Sequence, residues 1–236
     1  MSTNNKTISL RLPALHPGQQ RVLNESRRFN VLRAGSRFGK STLARHIVMG
    51  EALRGRPACW VASSYKFLLP SWREVTELLG AAIISTSQEE KRVVMGGGSI
   101  DFWSADAGAP AGEGRSYSVV VIDECAQLGA DLERLWTRSL RPTLADLAPS
   151  SSAWFLSTSK AASSYFSTIF AYGQGEREDW KSWQLGTADN PYIPASELDA
   201  ALMPSCPPLM IIGGTSAGAG RSSDLRYDCI SVTRHL

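Results

Sequence analysis

The chain has 236 residues, 43% of them hydrophobic and 20% charged, with 25 Lys and Arg against 22 Asp and Glu for a formal charge of +3. That length suits one large domain or a domain with an appendage, and the composition excludes a disordered, collagenous or fibrous chain. So small a basic excess permits a nucleic-acid partner without predicting one, and no apolar run approaches the roughly 18 residues needed to cross a bilayer.

Residues 1–12 are polar and then mixed, and read as an arm with no signal of its own. Met1 to Lys6 lacks the apolar stretch of a signal peptide, so the expectation is a protein that stays inside the cell. Phe29 to Arg33 is a short apolar strand closed by the glycine-bearing stretch Ala34 to Gly39, and a helical pattern follows through Leu43, Ile47, Val48 and Leu53. Ala58 to Ala62 reads as a buried strand, with Cys59 as a buried free thiol inside it. Next comes a helix from about Pro70 to Leu79, the proline suiting a first turn. Ala81 to Ile84 is another apolar run. Arg92 to Met95 and Ser99 to Trp103, joined by Gly96 to Gly98, read as a hairpin. Ser118 to Ile122 is the most strand-like run of all. Leu132 to Leu140 looks helical and stops before Pro142, Ala153 to Leu156 is a strand, and Ser163 to Tyr172 is a helix. Strands alternating with helices predict an α/β fold around a mainly parallel sheet. From about residue 204 the pattern breaks into prolines, glycines and polar residues, which read as a poorly ordered tail. Cys59, Cys125, Cys206 and Cys229 show neither C-x-x-C nor Cys/His metal spacing, and disulfides are not expected.

Two motifs carry chemistry. Ala34-Gly-Ser-Arg-Phe-Gly-Lys-Ser41 lies between a predicted strand and a predicted helix and fits the phosphate-loop pattern, with Ala34 in place of the first glycine. In such a loop, successive backbone N–H groups of residues 34–39 curl around phosphate oxygens, and Gly39 permits close approach. Lys40 brings a charge to the β- and γ-phosphates. Ser41 offers a hydroxyl to Mg²⁺, and the helix N-terminus, including Thr42, adds its partial positive charge. The second motif is Ser118-Val-Val-Val-Ile-Asp-Glu124, an apolar strand ending in two acids. Asp123 suits a metal-holding role, and Glu124 suits a general base for the attacking water. Between Ser41 and Asp123 there is room for at least one extra strand. With a Glu directly after the Asp, this points to the additional-strand, catalytic-glutamate class of P-loop ATPases.

Taken in order, these residues resemble the ATPase domain of the large terminase subunit of tailed bacteriophages. Residues 34–41 look like the arginine-bearing phosphate loop of that family. Leu15-His-Pro-Gly-Gln-Gln20 resembles its adenine-recognition motif, where the Pro-x-Gln spacing favours Gln19 over Gln20. Trp60 to Tyr65 is similar to the segment whose aromatic residue lies near the nucleotide, which implies such a place for Tyr65. Gly112 to Tyr117 and Arg141 to Ala145 are similar to the segments flanking the acidic strand. Leu156-Ser-Thr-Ser159 looks like the coupling motif, with Ser159 where proline is usual, and implies that Ser157 and Thr158 sense the γ-phosphate. Thr187-Ala-Asp-Asn-Pro-Tyr192 resembles a segment near the end of the ATPase region.

The resemblance implies a RecA-like P-loop α/β domain, with helices on both faces of the sheet, over residues 14–202. It is preceded by an arm over 1–13 and followed by an unmatched tail over 203–236. It implies binding of ATP and Mg²⁺, with Ala34, Gly35, Ser36, Arg37, Phe38, Gly39, Lys40, Ser41 and Thr42 around the phosphates. Arg37 stabilises transition-state charge in this reading, and Ser41 and Asp123 hold the metal. The implied function is a phage or prophage DNA-packaging motor that couples ATP hydrolysis to movement of double-stranded DNA. It would act in the host cytoplasm as a homo-oligomeric ring, with the portal and the small terminase subunit as partners and no membrane. Terminases continue into an RNase H-like nuclease domain, and too little chain follows Leu202 to supply one. No nuclease activity is therefore expected, and a truncated or frameshifted gene is the expected origin. The rival readings are a helicase-like ATPase and an idle remnant that only binds nucleotide or packaging partners. Arg54, Arg56, Arg134, Arg138 and Arg141 are the candidate DNA-contacting cations, and a solvated face is the simpler account of them.

Overall fold

Runs of β-branched and aromatic residues alternating with amphipathic helices assemble into one open sheet in the computed structural model, which describes residues 6–106, 111–112, 114–158, 164–202 and 227–234. The elements that build the domain are β1 (Lys6–Pro13), α1 (Pro17–Asn24), β2 (Phe29–Ala34), α2 (Lys40–Leu53), β3 (Pro57–Ala62), α3 (Tyr65–Leu79), β4 (Ser85–Ser87), β5 (Arg92–Val94) and β6 (Ser99–Ser104). They continue with β7 (Val119–Asp123), α4 (Asp131–Arg134), β8 (Ser152–Ser157), α5 (Ser164–Tyr172), β9 (Trp180–Leu185), α6 (Ala195–Leu202) and β10 (Tyr227–Arg234).

The main sheet has eight strands in the order β4-β5-β6-β3-β7-β8-β2-β9. All pairs from β6 to β9 are parallel, whereas β4, β5 and β6 run antiparallel through the predicted hairpin. Strand β8 lies between β2 and β7, so an additional strand separates the phosphate loop from the acidic strand. Central parallel strands are covered on both faces, and period-two alternation divides their side chains between two cores. Leu32, Trp60, Val121 and Leu156 face α1, α2 and α3 on one side. Val31, Val61, Ile122 and Phe155 face α4, the following turns and α5 on the other. Cys59 is buried, as the sequence implied.

Three local expectations are corrected. Helix α3 begins at Tyr65 behind Ser64, so Pro70 lies inside it and not in its first turn. The carbonyl that Pro70 leaves without a donor belongs to Lys66, which is exposed and open to water. The predicted helix over 132–140 is α-helical only to Arg134 and continues as a π-helix over Leu135–Leu140. The wider turn removes the regular spacing that would place Arg134, Arg138 and Arg141 on one face. The apolar run Ala81 to Ile84 begins inside a 3-10 turn over Gly80–Ala82.

The third correction concerns the ends of the chain. Lys6–Pro13, read largely as an arm with no signal of its own, pairs antiparallel with Tyr227–Arg234, read as part of a poorly ordered tail. Ile230, Val232 and Thr233 have strand-forming character, but the partner lies at the opposite end of the sequence, where no local pattern reveals it. Leu10 and Leu12 anchor β1 in the core beside α2 and α3. The rest of the expected tail, 203–226 and 235–236, lies outside the described residues. Among the described residues no helix is long and apolar enough to cross a membrane.

Candidate active site

Ligands of open parallel sheets bind beyond the carboxyl ends of the strands. Here β2, β7 and β8 deliver the phosphate loop, the acid pair and Ser157 to one such edge. Strand β2 ends at fully buried Ala34, and the chain turns through residues 35–39 into α2. Two residues of the turn are left-handed, Arg37 at φ 68° and Gly39 at φ 94°. Gly39 suits that conformation and Arg37 adopts it at a cost of about 1–2 kcal/mol. Phe38 is fully buried with its ring edge-on to His16, so its side chain pins the loop to the core.

Lys40 is 7% exposed and donates to the carbonyls of Ala34 and Gly35 at 3.3 and 3.4 Å. Its ammonium also lies 3.6 Å from Glu124 Oε1. Ser41 Oγ donates to Asp123 Oδ2 at 3.3 Å. Glu124 sits in the left-handed region at φ 48°, where the chain bends from β7 into a 3-10 turn over Cys125–Leu128. Its carboxylate receives the Ser157 hydroxyl at 3.5 Å, and that oxygen accepts from Ala126 N at 3.3 Å. Burial, and after it the neighbouring Glu124 carboxylate, push Asp123 up to about 6, against the pull of Lys40 and Ser41. Cys125 is fully buried, and burial keeps its thiol protonated.

A cleft of about 320 Å³ opens over this group, lined among others by Ser41, Asp123, Glu124, Thr158, Arg45 and Phe67. Sequence reasoning did not find Arg45, Glu74 or Phe67. Arg45 lies one turn beyond Ser41 on α2 and is ion-paired with Glu74 of α3. Its guanidinium is depressed by burial, partly offset by Glu74 and Asp123. The i, i+4 spacing from Ser41 was the signal available for it.

Other expected residues stand elsewhere. Tyr65 is half-exposed, with its ring facing Lys91 at 6.0 Å, and the aromatic residue that lines the cleft is Phe67. Arg37 is exposed on the loop itself, and Thr42 accepts from Arg45 at 3.2 Å. Gln19 is buried, and its amide donates to Gly39 O at 2.8 Å. Gln20 turns back onto Leu15 O at 2.8 Å. Arg33 stacks over Phe170 at 4.2 Å at the end of β2. Of the candidate DNA contacts, Arg54 and Arg56 both pair with Glu51 and Arg134 pairs with Asp131. Ser159 lies outside the described residues.

The chain matches no protein-family model. It is 29% identical over 147 residues to the terminase large subunit of Escherichia phage T5, a match covering 60% of the chain and 32% of that relative. The chain thus spans about a third of the relative's length. Among solved structures, the large terminase ATPase domain of Thermus phage P74-26 superposes with a TM-score of 0.58 at 18% identity, covering 78% of this chain and 90% of that one. The large terminase of bacteriophage HK97 gives a TM-score of 0.57 at 13% identity over 72% of this chain and 39% of that one. The large terminase of a thermophilic bacteriophage, solved in complex with ADP, gives 0.59 at 12% identity over 79% and 49%. The fold is the RecA-like P-loop α/β fold of these domains, and in sequence and architecture alike the chain resembles the ATPase domain of the large terminase subunit of tailed bacteriophages.

Proposed function

We propose that the chain is the ATP-hydrolysing motor domain of a phage DNA-packaging machine. The observation that carries this reading is the meeting of Ser41, Asp123 and Glu124 at one cleft, with Lys40 and Ser157 reaching Glu124 from two further strand ends. A helix N-terminus behind a turn of left-handed residues suits a phosphate chain. The ADP complex of one structural neighbour favours the same ligand class.

The donor set also suits a divalent cation. Ser41 Oγ and Asp123 Oδ2 are hard oxygen ligands 3.3 Å apart, and burial pushes this carboxylate up to about 6 despite the pull of Lys40, so a further cation would relieve it. Mg²⁺ held by these two residues would supply charge neutralisation between the β- and γ-phosphates. In the ligand-free chain the Lys40 ammonium rests on Glu124. An arriving phosphate competes for that ammonium, which frees the Glu124 carboxylate to accept a proton from water attacking the γ-phosphorus. Ser157 keeps the carboxylate oriented through its hydroxyl. Loss of the γ-phosphate then reverses the exchange and alters the contact at the end of β8, the point from which motion would be transmitted. Thr158, beside it on the cleft wall, is suited to sensing that oxygen.

The remaining parts of the reading are double-stranded DNA as the load and a homo-oligomeric ring with the portal and small terminase subunit as partners. The host cytoplasm would be the site of action. The test is Mg²⁺-dependent ATP hydrolysis by the full chain with and without duplex DNA, beside a strand-separation assay. Turnover stimulated by intact duplex without unwinding is the expected result. Unwinding would favour a helicase, and nucleotide binding without turnover at any protein concentration would favour an idle remnant.

A further inference from the structure

Consecutive carbonyl oxygens of the phosphate loop each receive a side-chain hydrogen bond from outside it. Thr187 Oγ1 donates to Ser36 O at 2.7 Å, and Asn190 Nδ2 donates to Arg37 O at 2.7 Å. His16 Nε2 donates to Phe38 O at 2.8 Å, and Gln19 Nε2 donates to Gly39 O at 2.8 Å. The donors come from two segments far apart in sequence, one opening α1 and the other following β9.

Each pair of donors is itself held. His16 N donates to Gln19 Oε1 at 2.9 Å, while Gln19 N donates to His16 Nδ1 at 3.4 Å. Because Nδ1 accepts, the ring proton sits on Nε2, where Phe38 O receives it. On the other side, Asn190 N donates to Thr187 O at 3.2 Å, and Tyr192 N donates to Asn190 Oδ1 at 3.0 Å. The loop is tied to the same segment at its start, where Gly35 N donates to Leu185 O at 3.0 Å. A Cβ at Gly35 would stand 2.7 Å from both the nitrogen and Oγ1 of Thr187. The glycine is therefore needed for this contact. A Cβ at Gly39 would likewise stand 2.5 Å from Gln19 Nε2.

The carbonyl and N–H of one trans peptide point to opposite sides. Fixing the carbonyls of Ser36, Phe38 and Gly39 against the protein therefore turns the N–H groups of Arg37, Gly39 and Lys40 the other way, as an anion cradle requires. The Phe38 N–H instead closes the turn onto Gly35 O at 3.3 Å. The same contacts hold Arg37 and Gly39 in left-handed conformations that a free loop would leave.

We infer that His16, Thr187 and Asn190, together with Gln19, are positioning residues that set the phosphate loop in its anion-receiving shape before nucleotide arrives. Affinity for the phosphate chain then depends on a segment at 187–190 that acts from behind the loop. This rests on the reading of the cleft as a nucleotide site. Organising a site before binding raises affinity by removing the ordering cost from the binding step.

The test measures binding of ADP with Mg²⁺ to the full chain by calorimetry, with the melting temperature recorded for every variant. Thr187→Val and Asn190→Ala should each weaken binding about five-fold, the size expected for one lost hydrogen bond. Thr187→Ser, which keeps the hydroxyl, should bind like the wild type. A purely structural role would lower the melting temperature of Thr187→Val while leaving its affinity like that of Thr187→Ser and the wild type. Should Thr187→Val unfold, the partly exposed Asn190→Ala gives the same reading. Lys40→Ala separates the two levels of inference. If it abolishes binding while Thr187→Val and Asn190→Ala bind like the wild type, the positioning role is overturned and the nucleotide site stands. If the wild type binds no better than Lys40→Ala, the site itself fails and the positioning role with it.

Discussion

Two aspartates are buried in strands on either side of β3, and the contrast between them separates structure from chemistry. Asp101, in β6, receives the Tyr117 hydroxyl at 2.8 Å and lies 3.4 Å from Arg92 Nε. Tyr117 in turn accepts from Trp103 Nε1 at 3.1 Å, while Asp101 Oδ1 has the Arg92 ion pair and no hydrogen bond. Asp123, at the end of β7, has only the weak Ser41 contact and the Glu124 N–H beside it, and it faces a second carboxylate across an open cleft. Burial raises both acids above their ordinary range. What sets Asp123 apart is the second carboxylate beside it and the open cleft over it, which leaves room for a ligand.

Removing the functional acid should break the contrast most visibly. On the proposed function, Asp123→Asn is expected to lower Mg²⁺-dependent turnover by at least about 100-fold, since the proposed metal site would lose its carboxylate. The same change should stabilise the ligand-free chain. Its pKa rises from 3.8 unfolded to about 6 folded, so stability falls as pH rises across that window and the cost is complete above it. At pH 8 the variant should gain on the order of 1–2 kcal/mol, a rise of a few °C in melting temperature. Asp101→Ala should do the reverse. It leaves Tyr117 and Arg92 without their acceptor and should cost about 2–3 kcal/mol, lowering the melting temperature by roughly 5–10 °C with ADP affinity unchanged. Asp101→Asn, which keeps an acceptor for Tyr117, should cost less.

A smaller effect follows from pH. Below about 6 the proton on Asp123 competes with the metal, so the Mg²⁺ concentration for half-maximal turnover should rise as pH falls from 7 to 5. Metal titrations at fixed ATP would measure it. The smallest expected change is Arg33→Ala, which removes a stacking contact with Phe170 worth about 1 kcal/mol or less and should leave turnover within two-fold.

Much of the contrast was legible in the sequence because each motif is local. Ala34 to Thr42 and Val119 to Glu124 announce a strand-turn-helix and a strand ending in acids, and the sheet brings them together as their order implies. What escaped was long-range. The donors that hold the loop's carbonyls are ordinary polar residues whose task exists only in the fold: His16 once α1 packs beside the loop, and Asn190 once β2 and β9 pair. Strand β9, with Lys181, Ser182 and Gln184 in its run, lacks the apolar signal of a central strand because it forms the sheet's edge. Tyr65 was named by likeness to a motif, whereas the ring that lines the cleft, Phe67, follows it in the first turn of α3 and carries no motif signal. The pairing of β1 with β10 is non-local in the extreme, joining the two ends of the sequence.

The central claim is that Glu124 acts on water while Lys40 and the loop hold the phosphates. Its most direct test compares ATP binding with single-turnover hydrolysis in the wild type and in Glu124→Gln. The account predicts that the variant binds ATP at least as tightly as the wild type, because Lys40 is released from its ion pair, while hydrolysis falls by about 100-fold or more. Hydrolysis at the wild-type rate in Glu124→Gln would contradict it and move the search for the base to another group on the cleft.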